Sequence, residues 1–148
     1  MKYFKMKEFE CRCGCVMPAE VKTNIEALVH NVLDPVRDAY GEPICVNSGY
    51  RCEKHNKAVG GVPRSQHLVG EAADIRPAGR TAHPSTLIPA SEPESPELMK
   101  LARIIVQQGR FDQLILYPTF LHVSYKRNGA NRHKVLRKTA TGYTTVKS

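Results

Sequence analysis

The chain has 148 residues, of which 41% are hydrophobic and 24% are charged, and this balance is typical of one folded domain rather than a disordered chain. No run approaches the roughly 18 consecutive apolar residues of a membrane-spanning helix, so an integral membrane protein is excluded. The N-terminal residues also lack the apolar stretch of a cleavable secretory signal. The net charge of +8 favours a polyanionic partner.

The first half of the chain predicts one long helix and two short elements. Apolar side chains recur at three- and four-residue steps over residues 18–40, with a kink expected at Pro35 and an end at Gly41. A short strand at 44–46 follows. Residues 52–59 are then expected to form one or two helical turns.

The second half predicts a strand, a loop, a helix and a hairpin. Residues 71–75 read as a strand, and residues 77–96, with five prolines and no periodic pattern, read as an exposed loop. A helix at 97–108 then leads to two strands, 111–117 and 120–125, around a tight turn.

The residues after the hairpin are strongly basic. Asp112 is the last acidic residue, and residues 126–148 carry seven cations: Lys126, Arg127, Arg132, Lys134, Arg137, Lys138 and Lys147. This basic C-terminal tail suits a nucleic acid or an anionic cell-wall polymer, and a solvated surface that aids solubility is the alternative. It also contains two possible strands, 133–137 and 143–146. The whole chain is therefore predicted to be a single α+β domain, with helices packed on a small antiparallel sheet.

Five cysteines cannot all pair in disulfides. Cys11, Cys13 and Cys15 form a C-x-C-x-C pattern, whereas Cys45 and Cys52 flank the SGYR segment. The pattern lacks the C-x2-C spacing that is usual in structural zinc sites, so free, partly buried thiols in a reducing compartment are the favoured interpretation and a structural metal is the alternative.

The residues that most clearly predict a reactive or metal-binding site are His67, Asp74 and His122. His67 lies in a loop seven residues before Asp74, which is in a predicted strand, and His122 is in another strand. Two histidines and one carboxylate are a common catalytic zinc set that leaves a position open for water. A buried His–Asp pair is the alternative.

The run SGYRCEKHNKAVGGVPRSQHLVGEAADI, with FDQLILYPTFLHVSY downstream, resembles the zinc D-alanyl-D-alanine carboxypeptidases. This peptidase family, M15, also contains phage peptidoglycan endopeptidases and shares its metal site with the Hedgehog signalling domain. The resemblance implies that His67, Asp74 and His122 bind Zn²⁺ and that Arg51 faces the substrate near the reacting carbonyl. Ser65 is expected either to bind substrate or to cap its loop.

The general base is where the sequence departs from this family. Many relatives have a glutamate three or six residues before the last histidine, and these positions are Thr119 and Leu116 here. Glu71 is close in sequence to the metal ligands, but strand alternation predicts it on the face opposite Asp74. The base must therefore come from elsewhere, unless the metal and an arginine suffice.

The register of the predicted hairpin decides between two further residues. A three-residue loop places Asp112 on the face of His122, whereas a two-residue loop places Gln113 and Tyr117 there. The position of the glutamate in relatives implies the three-residue loop, so Asp112 is the favoured base and Gln113 the polarising alternative. A strand-end cap or a salt bridge to Arg110 is the structural interpretation of Asp112.

Three functions follow from these observations. The leading one is zinc-dependent hydrolysis of peptidoglycan stem peptides by a monomeric carboxypeptidase or endopeptidase, with residues 77–96 shaping the cleft. Two settings are compatible with this function: a lytic enzyme of a phage or prophage, cytoplasmic until the membrane opens, or a secreted enzyme whose signal has been removed from the chain. The second is a zinc-containing cell-wall binding module without turnover. The third is a nucleic-acid-binding protein that uses CRCGC and the basic tail, which predicts steeply salt-dependent DNA binding.

Overall fold

A computed structural model describes residues 1–61, 65–78 and 96–146, so most of the predicted 77–96 loop lies outside the described residues. Within these ranges no helix has both the length and the apolar character that a membrane span requires. The helices are α1 (Ala19–Leu28), α2 (Asp34–Tyr40), α3 (Glu53–Ala58) and α4 (Pro96–Gln108). The strands are β1 (Ile44–Ser48), β2 (Ala72–Pro77), β3 (Gln113–Leu116), β4 (Leu121–Ser124), β5 (Lys134–Thr139) and β6 (Gly142–Thr145).

The predicted N-terminal helix is present as α1 and α2, joined by a π-helical turn at Val29–Leu33. Pro35 has no N–H with which to continue the α-helical hydrogen bonds. The wider turn accommodates this defect, because the Asp34 N–H bonds to the Val29 carbonyl five residues earlier. The irregularity expected at Pro35 is therefore a π turn, and Gly41 ends α2 with a φ of 78°.

Six strands form one mixed sheet in the order β1-β2-β4-β3-β5-β6. The neighbouring pairs are antiparallel except β3 and β5, which run parallel. The predicted α+β class and the two strands expected in the basic tail are confirmed. Because β5 and β6 belong to the sheet, residues 134–145 are part of the folded domain rather than an appended tail.

The hairpin of β3 and β4 has a two-residue loop, so the predicted three-residue loop is wrong. Ile115 lies opposite His122, and the Tyr117 N–H donates to the Phe120 carbonyl at 3.0 Å, which leaves only Pro118 and Thr119 in the turn. Burial explains this register, since it keeps the apolar side chains of both strands on the core face. The fully or nearly buried members of that set are Leu114, Leu116, Leu121 and Val123.

The helices cover one face of the sheet and leave the other to the polar residues. Ala73 and Ile75 of β2 are completely buried with the side chains of the helices, which include Ile25, Leu28 and Leu101. Since successive strand residues point to opposite faces, Asp74 and His122 point away from this core. The sheet thereby presents two candidate ligands side by side on its open face.

Candidate active site

Three side chains converge on the open face of the sheet. Asp74 and His122 lie directly opposite each other on β2 and β4, and His122 Nδ1 is 3.1 Å from Asp74 Oδ1. His67 comes from a single turn of 3-10 helix, Gln66–Val69, just before β2, and its Nε2 is 3.2 Å from the same oxygen. All three side chains are shielded from solvent, with exposed fractions of 1% for His67, 15% for Asp74 and 12% for His122.

The backbone fixes the tautomer of His67. Its Nδ1 lies 2.7 Å from the Gly49 carbonyl, which can only accept a hydrogen bond, so Nδ1 carries the proton. In the neutral ring, Nε2 then directs its lone pair at the Asp74 carboxylate. A proton on Nε2 makes this contact a hydrogen bond to Asp74, as in the buried His–Asp pair, whereas a metal ion between the two atoms binds all three side chains at once.

Electrostatics favour the ligand forms of these residues. Burial raises the pKa of Asp74, but hydrogen bonds with His122 and His67 outweigh it, and the net pKa lies well below the ordinary value. Burial lowers the pKa of His122 further than its contact with Asp74 raises it. An ionised carboxylate beside a neutral imidazole is the state that binds a divalent metal. The donor set fits the metal ion that the sequence implies.

The three residues form part of the wall of a cavity of about 760 Å³. Its polar lining includes Arg51, Lys126 and Arg132, and its apolar lining includes Tyr117 and Phe120. The Tyr117 and Phe120 rings stack with centroids 4.4 Å apart. A cavity lined by both cationic and aromatic side chains suits a peptide that carries carboxylates.

Arg51 is held in place through its backbone while part of its side chain lacks a partner. Its N–H donates to the His67 carbonyl at 3.0 Å, which links the arginine to the loop of the metal ligand. Its Nε is buried and has no hydrogen-bond partner within the described ranges. A buried N–H donor in a cavity wall is costly unless a ligand accepts from it. Arg51 is therefore positioned to bind an anionic or carbonyl oxygen.

Ser65 and Gln113 also line the cavity. The Ser65 Oγ accepts from the His67 N–H at 3.2 Å, so the capping role expected for this residue is present in the structure. Gln113 lies on the same strand face as Ile115, the residue opposite His122. The structure thus places the polarising alternative, Gln113, on the face where Asp112 was expected.

Asp112 is placed differently from the sequence prediction. It has no exposed surface and is not among the described residues that line the cavity. Its carboxylate accepts two side-chain hydrogen bonds from Arg132, at 3.0 and 2.9 Å, and one from the Arg132 N–H at 2.9 Å. The assignment of Asp112 as the base assumed a three-residue hairpin loop. The observed two-residue loop removes that support. The salt bridge expected with Arg110 is instead made with Arg132.

Glu71 lines the cavity together with Asp74, contrary to the prediction from strand alternation. The reason is that β2 begins at Ala72, so Glu71 lies before the strand and does not follow its alternation. Its Oε1 is 3.4 Å from Gln66 Nε2, which also donates to Asp112 at 3.1 Å. Lys126, Arg132 and Tyr143 were likewise missed as cavity residues, since only the fold of the C-terminal strands brings them to the site.

The family model described as Peptidase M15 matches residues 2–123. The chain therefore belongs to the M15 peptidase family, whose members are metal-dependent, and the resemblance seen in the sequence is confirmed. No curated protein matches the chain. The matched residues include all three candidate metal ligands and Arg51, whereas the cavity residues Lys126, Arg132 and Tyr143 follow the match.

Proposed function

We propose that this protein is a zinc peptidase that hydrolyses the stem peptides of peptidoglycan. The observation that carries the proposal is the convergence of His67, Asp74 and His122 in one cavity with Arg51, whose Nε lacks a partner among the described residues. A zinc ion bound by the three residues supplies Lewis-acid chemistry, which polarises an amide carbonyl and lowers the pKa of water.

Arg51 binds the oxygen on which negative charge develops. Its guanidinium group offers several N–H donors in a fixed planar arrangement, so it accommodates either the reacting carbonyl oxygen or a nearby terminal carboxylate. The Arg51 N–H donates to the His67 carbonyl, so the backbones of the proposed donor and of the proposed metal ligand are joined directly. This link favours a constant spacing between the two residues, as oxyanion stabilisation requires.

Glu71 is the proposed proton-transfer residue. It is the one acidic side chain besides Asp74 among the described residues that line the cavity. Its carboxylate takes a proton from the attacking water, and the same oxygen returns that proton to the nitrogen of the leaving amine. The hydrogen bond from Gln66 orients the carboxylate for this role.

The charge of the cavity favours stem peptides as the substrate class. Arg51 and Lys126 contribute two cations to the lining, whereas the charge of Arg132 is paired with Asp112, and peptidoglycan stem peptides carry free carboxylates. The aromatic wall formed by Tyr117 and Phe120 gives the peptide an apolar surface to lie against. Both a terminal and an internal peptide bond are compatible with such a cavity.

The test is incubation of the metal-loaded protein with purified sacculi and muropeptides, followed by mass spectrometry of the products. We expect cleavage that a chelator abolishes and added zinc restores. Loss of a single alanine identifies a carboxypeptidase, and separated stem fragments identify an endopeptidase. Asp74→Asn should abolish cleavage, whereas the matched change His30→Ala, at an exposed histidine in the π turn, should leave it intact.

Glu71→Gln tests the proton-transfer role separately. We expect kcat to fall by about 10²-fold or more, with the metal content unchanged, because the amide cannot carry the proton. A normal rate would remove Glu71 from the mechanism. If the metal-loaded wild-type protein binds stem peptides and cleaves none of them, the cell-wall binding module replaces the peptidase.

A further inference from the structure

Four cysteine side chains meet at the end of the segment that carries Arg51. The Sγ atom of Cys11 is 3.2 Å from that of Cys13 and 3.7 Å from that of Cys52, and Cys13 and Cys52 are 3.4 Å apart. Cys15 joins them, with all four sulfur atoms within 4.8 Å of one another. The C-x-C-x-C pattern contains three of these cysteines, and the fold brings the fourth, Cys52, next to them.

The spacing of these sulfur atoms suits one metal ion. A tetrahedral zinc–thiolate site with bonds of about 2.3 Å has its sulfur atoms about 3.8 Å apart. A disulfide requires sulfur atoms at about 2.05 Å, and all five cysteines of the chain are free thiols in this structure. We propose that Cys11, Cys13, Cys15 and Cys52 bind a structural zinc ion, separate from the metal at His67, Asp74 and His122.

The backbone around the cluster is arranged to present sulfur ligands. A turn closed by the Gly14 N–H and the Cys11 carbonyl, at 3.0 Å, folds the C-x-C-x-C segment back on itself, and Gly14 has a φ of 82°. The Cys52 N–H points at Cys11 Sγ and the His55 N–H at Cys52 Sγ, both at 3.4 Å. Such N–H···S contacts orient thiolate ligands and offset their negative charge.

This site braces the loop that carries Arg51. Cys52 directly follows Arg51, and the neighbouring Tyr50 N–H donates to the Phe9 carbonyl at 2.8 Å. Gly49 packs so closely that a Cβ atom there would lie 2.6 Å from the Phe9 Cα atom. The same Gly49 carbonyl fixes the ring of His67. A zinc ion that joins the N-terminal segment to Cys52 therefore stabilises the supports of both Arg51 and His67.

The proposal is tested by the zinc content of the purified, reduced protein. We expect two zinc ions per chain in the wild type, one in the double variant Cys13→Ser, Cys15→Ser, and one in Asp74→Asn. Cys45→Ser is the matched control, because Cys45 lies in β1 outside the cluster and should leave two ions bound. Replacement of zinc by cobalt should give thiolate charge-transfer absorption in every variant except the double cysteine variant.

A second measurement needs no substitution that could impair folding. Titration of the native wild-type protein with an organomercurial should release one zinc ion per chain, detected by a metallochromic indicator, while the second ion stays bound. Two results overturn the proposal: no zinc release on thiol modification, or an intact mass that shows disulfides in the protein prepared under reducing conditions. Iron rather than zinc bound to the four sulfurs would also overturn it.

Discussion

The contacts of Asp112 indicate that this carboxylate has a structural role rather than a catalytic one. Burial raises its pKa, but the hydrogen bonds from Arg132 and Gln66 outweigh this and lower it to about 2. Its backbone is engaged as well, since its N–H donates to the Ser124 carbonyl and its carbonyl accepts from the Lys134 N–H. Asp112 thus joins the hairpin to the start of β5. Because its carboxylate and its backbone are both engaged, Asp112 is not free to act as a base.

We expect Asp112→Asn to lower the free energy of unfolding by about 1.5–3 kcal/mol, because hydrogen bonds to a charged group are lost. The kcat for a short muropeptide, measured on the folded variant, should change far less than in Glu71→Gln. Urea unfolding and steady-state kinetics on both variants check this. The reverse pattern, a stable protein with a lost rate, would return Asp112 to the mechanism.

The same pair predicts a pH dependence. The pKa of Asp112 is lower in the folded chain, at about 2, than its ordinary value of 3.8, so the ionised pair stabilises the fold above about pH 4. That contribution is lost as the pH falls from about 4 towards 2. The stability difference between the wild type and Asp112→Asn should therefore be constant at neutral pH and shrink across this window. A constant difference down to pH 2 would contradict the assignment.

Arg51→Ala should lower kcat/KM by about 10²-fold or more without loss of metal, because it removes a donor to the transition state and no ligand. Arg51→Lys keeps the charge but not the planar arrangement of donors, so we expect it to recover only part of the rate. Muropeptide cleavage and zinc analysis of both variants check this. Equal activity of Arg51→Ala and the wild type would place the Arg51 side chain outside the reaction.

At the scale of elements, local sequence patterns were sufficient to predict where the helices and strands lie along the chain. Apolar periodicity predicted α1 with α2, and also α4, and the predicted strands all overlap observed ones. The hairpin register could not be predicted, because it depends on which apolar side chains the helices bury. The parallel pairing of β5 with β3 and the approach of Cys52 to Cys11 are long-range contacts without a local pattern.

Lys134 and Lys138 belong to β5, a folded strand between β3 and the edge strand β6, so the expected binding to anionic cell wall can be tested at defined positions. Lys134 and Lys138 are exposed. We expect Lys134→Gln with Lys138→Gln to weaken binding to sacculi and to reduce its salt dependence, because fewer charges face the polymer. Cleavage of a short soluble peptide should be unaffected. Lys5→Gln with Lys7→Gln removes the same charge at the N-terminal end, and an equal effect would show that only net charge matters.

For the whole molecule, the C-terminal strands β5 and β6 are an integral part of the sheet and are needed for its stability. A chain that ends after Tyr125 loses the Asp112–Arg132 pair, the buried Val135 and the strand beside β3. The unpaired hydrogen-bonding groups of β3 would then be exposed next to apolar side chains. We expect this truncation to aggregate or to unfold at much lower urea concentration, measured by light scattering and circular dichroism. A soluble truncated protein of wild-type stability would contradict this.

The residues of the cavity wall come from two stretches of the chain. The metal ligands and Arg51 lie within the family match, residues 2–123, whereas Lys126, Arg132, Leu136 and Tyr143 of the cavity wall follow it. On the proposed function, part of the substrate-facing wall is therefore encoded after the proposed metal ligands, while Arg51, Tyr117 and Phe120 of that wall lie within the match. A change in the last two strands can alter which peptide is accepted while the reaction chemistry stays the same. The proposed function therefore allows one catalytic centre to acquire different peptide preferences through replacement of a short terminal segment.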